Sequence, residues 1–383
     1  MDGYERSPIR KQRQPKLNVA SEQTRSLGAK WVYTMVGPPL ENHLINITGD
    51  KVETVSATPA YSAAEYLGDH CVILPATVNA HTHLELSQLE FPLDVPSRSM
   101  SDWVAALLAF RRNAAYNARE GIRQALCRPE LLESTIAVAD IVPEDCMNGG
   151  DFSPLFLHSF VELIAWRNEE VEKLNFDTCA FGLSPHAPHT VCPALLERAV
   201  RQNVSLAMHL AETREELQLL RYCTGPLLEM MRRADPDYDP KSVLIGKSPM
   251  DYLQLLSTAP NVFIIHGNYL DDAELRFLAA HRETMAVVYC PRSHAYFRHA
   301  SYPLKKMLDY GVRVLLGTDS LASTPNLSLV EEMQFALQRH PRVSPEIVYR
   351  LGTLEGALAF SLPKGVGTIQ HGSPARFAPL LSK

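Results

Sequence analysis

The feature that most restricts this chain is an alternation that begins near residue 71. Apolar runs of strand length recur at 71–80, 135–142, 155–163, 179–184, 204–210, 262–266, 285–290 and 312–317. Longer stretches with helical spacing separate them, among them 101–118, 193–202, 212–221, 271–281 and 304–310. Unbroken apolar strands between helices predict a parallel sheet covered on both faces. Eight such units ending near residue 319 suit a β/α barrel, which takes about 250 residues. An open doubly wound sheet competes, but no G-x-G-x-x-G follows an early strand, so a dinucleotide site is unsupported. The expected class is α/β: a (β/α)8 TIM-like barrel over 71–360, closed by helices at 328–340 and 345–360.

The flanks read differently. Trp31-Val32-Tyr33 and Leu44-Ile45-Asn46-Ile47 are short apolar runs broken by Gly37-Pro38-Pro39 and Gly49-Asp50, a pattern of strands and turns. With a strand returned by the tail, residues 21–70 and 361–383 are expected to build a small β-sandwich subdomain. Residues 1–20 are polar and basic, lack the apolar core of a secretory signal, and are expected to be a disordered arm.

Composition narrows the function classes. A net charge of −6 carries no signature of nucleic-acid or anionic-membrane binding. No apolar run approaches the roughly 18 residues of a membrane span. Seven cysteines without a C-x-x-C suggest reduced thiols and a cytoplasmic address. The expected partners are a small-molecule substrate and, as an assembly, a second copy in a homodimer.

A barrel carries its chemistry where its strands end at the C-terminal mouth. The first strand runs into Ala80-His81-Thr82-His83-Leu84-Glu85, the fourth into Ser184-Pro185-His186, and the fifth into Met208-His209-Leu210-Ala211-Glu212. The sixth ends in His266-Gly267, the seventh in Cys290-Pro291-Arg292-Ser293-His294, and the eighth in Gly317-Thr318-Asp319-Ser320. A single histidine after an apolar run is commonly structural. Six of eight strand ends carrying ionisable groups at one rim is not a pattern that chance supplies readily.

Three imidazoles and a carboxylate suit one borderline divalent ion, zinc first and iron second. The assigned ligands are His81, His83, His209 and Asp319. Such an ion would lower the pKa of a water and so provide a nucleophile. Glu212, three residues after His209, is placed to move a proton; the competing role is an acid favoured by a helix N-terminus, and the two are compatible. His266 is read as orienting water or stabilising charge, against a fifth metal contact or a structural hydrogen bond. The catalytic set is thus Glu212, His266 and Asp319. His186, Glu85, Ser320 and Trp103 are candidate substrate contacts. Glu85 can instead support a metal-bound histidine, and Trp103 can instead be core.

These motifs, in this order, resemble the amidohydrolase superfamily, and most closely its cytosine, guanine and S-adenosylhomocysteine deaminase and chlorohydrolase branch. The similarity covers about residues 70 to 330. In that branch the matching positions bind one zinc or iron through His81, His83, His209 and Asp319, and Glu212 and His266 match the proton-transfer residues. The lysine that bridges two metals in other branches is missing from 178–184, which implies one metal. Within the branch, 79–87 and 290–297 are most similar to the aminodeoxyfutalosine deaminases of the futalosine menaquinone pathway. The resemblance implies hydrolytic deamination of an aminopurine nucleoside. A substrate carboxylate would then need a cation, with Arg111, Arg112, Arg167 and Arg292 as candidates. The alternatives are S-adenosylhomocysteine, methylthioadenosine or guanine deamination, a chlorohydrolase or amidase, and, furthest, a non-catalytic scaffold. The cytidine-deaminase zinc fold expects a P-C-x-x-C that the chain lacks.

Overall fold

A computed structural model of the chain describes residues 24–146, 155–176 and 181–381. The expected arm at 1–20 and the first residues of the run 179–184 lie outside them. Two sheets organise the described residues. The first is built from β1 (Thr24–Val32), β2 (Leu40–Thr48), β3 (Lys51–Ser56), β4 (Glu65–Tyr66) and β5 (Cys71–Pro75). The second is an all-parallel barrel of β6 (Thr77–Thr82), β7 (Thr135–Val142), β8 (Phe156–Leu163), β9 (Gly182–Pro185), β10 (Ser205–Leu210), β11 (Val262–His266), β12 (Met285–Tyr289) and β13 (Val314–Leu316). The last strand, β14 (Phe377–Leu381), returns to the first sheet and pairs antiparallel with β5.

The small sheet runs β14-β5-β1-β2-β3, with β4 beside β1. It is a single sheet that curls: the tail just before β14 bridges to β3, with Ala375 N donating to Asp50 O at 2.8 Å and Val52 N to Ser373 O at 2.9 Å. Leu27, Ala29, Ile45, Ile47, Val52, Ile73 and Ile369 fill its inside.

The run 71–80, expected as one barrel strand, is two strands. Cys71–Pro75 belongs to the small sheet and Thr77–Thr82 starts the barrel. The break falls at Pro75-Ala76, because a proline nitrogen cannot donate to a ladder. Both halves are buried throughout, so apolarity alone could not show the change of partner. On these pairings we propose that the boundary between the two units falls at Ala76 rather than at residue 71.

The barrel strands are apolar on both faces for two reasons that alternate along each chain. Ala137, Ala139, Ala207, Phe263, Ile265, Ala286, Val288 and Leu315 face the axis with Phe160. Leu206, Met208, Leu210, Val262, Ile264, Val287, Tyr289, Val314 and Leu316 pack outward on the helices. Helix expectations were met less evenly. The stretch 101–118 holds one helix, Met100–Arg111, capped by Ser99, with a new helix starting only at Ala118 after an Asn117 cap. The stretch 345–360 divides at Gly352-Thr353 into Pro345–Leu351 and Leu354–Ala359. Pro226–Ala234 and Pro249–Leu256 form helices where none was assigned; each starts on a proline suited to the first turn.

The last seam of the barrel, β13 against β6, has no regular ladder. His81 O accepts from Thr318 N at 3.2 Å and from Asp319 N at 3.1 Å. The Asn79 side chain completes the join, donating to Thr318 Oγ1 at 2.8 Å and accepting from Thr318 N at 3.1 Å. The approach requires glycine at 317: a Cβ there would stand 2.9 Å from His81 Cβ and 3.0 Å from His81 N. Gly317→Ala should therefore cost about 1–3 kcal/mol, the usual range for overpacking a dense core. Urea unfolding measures this, and an unchanged midpoint would contradict the seam as described.

Candidate active site

The seam delivers the first two groups. His81 sits at the end of β6 on the join itself, and His83 follows where the chain turns into Leu84–Leu86. Asp140 of β7 holds this turn from below. Its Oδ1 accepts from Thr82 Oγ1 at 2.9 Å and from Leu84 N at 2.8 Å, one residue either side of His83. Asp140 is fully buried, and its other oxygen has no partner among the described residues.

His209 shares the inward face of β10 with Ala207 by strand alternation. His266 does not follow alternation, which would send it outward with Ile264. It adopts a left-handed φ of 68°, and its ring lies 5.5 Å from that of His209. Asp319 is likewise left-handed at φ 63°. Strain of this kind in non-glycine residues concentrates at functional sites.

The groups converge. Side-chain ligand atoms of His81, His209 and His266 all lie within 4.8 Å of one another, as do those of His81, His83 and Asp319. His83 Nε2 faces His209 Nε2 at 3.3 Å, and His81 Nε2 is 3.7 Å from Asp319 Oδ1. Supporting bonds aim them. His209 Nδ1 donates to His186 O at 3.1 Å, which leaves its Nε2 lone pair toward the group. Asp319 Oδ2 accepts from Ser293 Oγ at 2.7 Å and Ser323 Oγ at 3.1 Å, which leaves Oδ1. Burial, aided by the neighbouring imidazoles, holds His81, His83 and His266 well below the ordinary histidine range. Burial first, and then His186, lowers His209 to about 3. Neutral imidazoles keep the lone pairs that metal binding needs. His81 Nε2 is buried without a partner, as expected of a nitrogen reserved for an ion. This donor set fits one divalent ion.

Glu212 stands beside the cluster, with Oε1 3.3 Å from His266 Nε2. Burial, followed by the charges of Asp319 and Glu216, raises its pKa well above the carboxylate range. Burial likewise lifts Asp319 to about 6, against the lowering effect of its two serine bonds. Asn268 Nδ2 donates to Glu212 O at 2.9 Å and fixes the loop that carries it.

The other sequence candidates separate. His186 adjoins His209 with ring centres 5.1 Å apart, is bound through Nδ1 to Thr190 Oγ1 at 2.8 Å, and faces Glu162 at 3.9 Å. Glu85 is buried and paired with Arg111 at 2.5 Å; burial still raises it to about 7. Ser320 is buried, its Oγ accepting from Ala322 N at 3.3 Å. Trp103 packs on Phe297 with its indole N–H on Ala322 O at 3.2 Å, so it serves the helix that covers this side of the mouth. Of the four arginines, Arg167 is paired with Glu170 and Asp235, and Arg292 is buried against Glu332 and Glu331. Arg112 is exposed just past its helix. Arg111 alone has a charge that acts on His83 and His186.

Four supporting residues were missed from sequence: Asn79, Asp140, Ser293 and Ser323. Asp140 had a readable signal, as the one acid inside the otherwise apolar and small run Thr135–Val142. The serines had none, since hydroxyls in loops are common.

Known proteins bear on this geometry. Residues 165–382 match the amidohydrolase family, and the chain belongs to that family. It is 29% identical over 323 residues to the aminodeoxyfutalosine deaminase of Deinococcus radiodurans, an alignment covering 77% of this chain and 74% of that protein. It is 33% identical over 210 residues to the 5-methylthioadenosine/S-adenosylhomocysteine deaminase of Thermococcus kodakarensis, covering 52% of this chain and 44% of that one. The fold superposes on the crystal structure of Helicobacter pylori aminofutalosine deaminase bound to methylthio-coformycin with a TM-score of 0.73, at 21% identity, over 93% of this chain and 91% of that one. No helix among the described residues is long and apolar enough to cross a membrane.

If Asp140 sets the His83 turn, Asp140→Ala should weaken metal retention about 10–100-fold, the range seen when supporting bonds to ligands are removed. Asp140→Asn, which keeps an acceptor oxygen, should lose less. Competition with a chelator measures both, and equal retention in wild type and Asp140→Ala would contradict the role.

Proposed function

We propose that the chain is a hydrolytic deaminase of aminopurine nucleosides that uses one divalent metal, with aminodeoxyfutalosine as the first candidate substrate. The observation that supports this reading is a pair of donor triads that share His81, one with His83 and Asp319 and one with His209 and His266, with His83 Nε2 3.3 Å from His209 Nε2 and Glu212 against His266. Support for the substrate class comes from the relatives, which are by name deaminases of aminodeoxyfutalosine and of 5-methylthioadenosine and S-adenosylhomocysteine.

His81, His83, His209 and Asp319 are the proposed ligands, and a donor set of three nitrogens and one oxygen favours zinc over harder ions. When bound, the ion would lower the pKa of water toward neutrality and so supply the nucleophile. The chain's own residues do the rest. Glu212, kept protonatable by burial, gives a proton to the ring nitrogen beside the carbon that carries the amine. The Asp319 carboxylate receives the proton that water gives up, while Ser293 and Ser323 fix its orientation through Oδ2. His266 keeps Glu212 in line and meets charge that develops on the substrate. The departing amine takes the proton held by Asp319 and leaves as ammonia, and the new hydroxyl on the ring carbon returns its proton to Glu212 as it becomes a carbonyl, so a water and an amine go in and a carbonyl and ammonia come out. Arg111 beside His83 is the proposed partner for a substrate carboxylate, shared with Glu85.

Deamination of S-adenosylhomocysteine or methylthioadenosine is the second reading, favoured by the Thermococcus relative. Ammonia release from aminodeoxyfutalosine, S-adenosylhomocysteine, methylthioadenosine and adenosine separates the two, and no release from any of them would overturn both. His209→Ala should lose metal and activity together. Glu212→Gln should keep one metal per chain by elemental analysis and lose at least about 100-fold in kcat. Full activity in Glu212→Gln would remove that residue from the reaction.

A further inference from the structure

The chain reaches Glu212 through Ala211, which follows the last residue of β10 with a left-handed φ of 54°. Successive backbone N–H groups around a left-handed residue make a concavity that favours an anionic oxygen. Here a carboxylate of the same chain fills it. Ala211 N donates to Glu216 Oε1 at 2.7 Å, and Glu212 N donates to Glu216 Oε2 at 3.1 Å. Glu216 is buried, at 3% exposure, and takes no part in the proton transfers.

The carboxylate is not spent on its own helix. Glu216 is the third residue of the helix Arg214–Tyr222, which Thr213 caps. In the helices Pro249–Leu256 and Asp272–Ala280 the acid at that place, Asp251 or Glu274, accepts from the N–H of the cap residue itself, Ser248 or Asp271. That closes an ordinary capping box. Glu216 reaches past Thr213 to the two residues before it, which lie outside the helix. The carbonyls of those two residues are held from the other side. Ala211 O accepts from Tyr269 N at 3.0 Å and Glu212 O from Asn268 Nδ2 at 2.9 Å, both in the loop that follows His266. All four backbone polar groups of Ala211 and Glu212 are thus engaged. The Glu212 side chain therefore leaves a fixed base on its way to His266.

We propose that Glu216 is a positioning residue of the reaction: its two oxygens clamp the Ala211 and Glu212 amides and so hold the Glu212 carboxyl against His266 and the ring nitrogen it serves. This role rests on that of Glu212 in the proposed deamination. Each oxygen has one N–H to itself, so glutamine is a poor substitute: its oxygen keeps one bond, and its amide nitrogen turns a donor toward the other N–H. Aspartate keeps the charge but is one methylene too short to reach both. Metal retention is served by other bonds, those of His186 O to His209 and of Ser293 and Ser323 to Asp319.

Steady-state kinetics of the zinc-loaded full chain, on whichever of the four nucleosides above releases ammonia, test it in a double-mutant cycle with zinc content measured alongside. Glu216→Gln is expected to lose at least about tenfold in kcat, as misplacing a reacting group does. KM should change less than about threefold, with one zinc per chain kept. In the Glu212→Gln background the same substitution should cost less than about twofold, since a residue that acts through Glu212 then has nothing to act through. Leu219→Ala, on the buried side of the same helix, should lower Tm and leave kcat within about twofold, which separates aim from helix stability. Glu216→Asp should show the pattern of Glu216→Gln and covers the case in which the latter does not fold; failure of both to fold would make Glu216 purely structural and overturn the role. Wild-type kcat in Glu216→Gln, a loss confined to KM, a full further loss in the Glu212→Gln background, or zinc lost together with activity would each overturn it as well. No ammonia from the wild type, or full activity in Glu212→Gln, would instead overturn the reading on which this role rests, so the two failures are told apart.

Discussion

The join between β6 and β13 is the constraint on which the rest depends. Seven strand pairs of the barrel are held by parallel ladders, irregular only between β6 and β7, but the eighth has a single isolated bridge, Thr82 to Asp319. It is closed by a carbonyl, an amide side chain and a missing methyl group: His81 O, Asn79 and Gly317. Because His81 and Asp319 are the residues that meet there, closing the barrel and forming the candidate metal site are one event. A barrel that opened at this seam would separate these two candidate ligands first. The small curled sheet bears on the same place, since β5 leads straight into β6 through Pro75-Ala76 and Ala76 N is bonded to Arg376 O in the tail.

The site is energetically expensive for a protein alone. Four imidazoles and two carboxylates are removed from water at one mouth, and burial shifts each toward its neutral form. Left-handed φ values at His266 and Asp319 add roughly 1–3 kcal/mol each. The surrounding structure compensates with directed bonds to the outward-facing atoms of the same residues: His186 O on His209, two serines on Asp319, Tyr302 on His266 O. These bonds remove freedom from the candidate ligands in advance, and so would reduce the entropy lost on binding an ion. The histidines stay neutral because a dry environment resists charge, and neutral imidazoles keep the lone pairs a metal ion would need.

Much of this was legible in the sequence, for reasons that differ by residue. The parallel barrel could be read because strands buried on both faces are apolar without alternation, as in Val262–His266 and Met285–Tyr289. The site could be read because its groups sit where those runs stop, so that polarity appears abruptly at His209, His266 and Asp319. What could not be read was partner choice. Cys71–Pro75 and Thr77–Thr82 are equally buried yet belong to different sheets, a distinction carried by one proline and by contacts hundreds of residues away. Asn79 was hidden in the same way, since its role depends on Thr318. Trp103, Ser320 and most of the arginines looked functional by type, but their atoms are engaged in packing, backbone bonds or ion pairs.

The central claim is that one cation is held by side chains brought together at the seam. Anomalous diffraction at the metal edge from crystals of the zinc-loaded protein tests it most directly. A single peak at about 2.0–2.2 Å from Nε2 of His81, His83 and His209 and from Asp319 Oδ1 is the predicted result. A peak elsewhere, or two peaks of equal height bridged by other residues, would contradict the account.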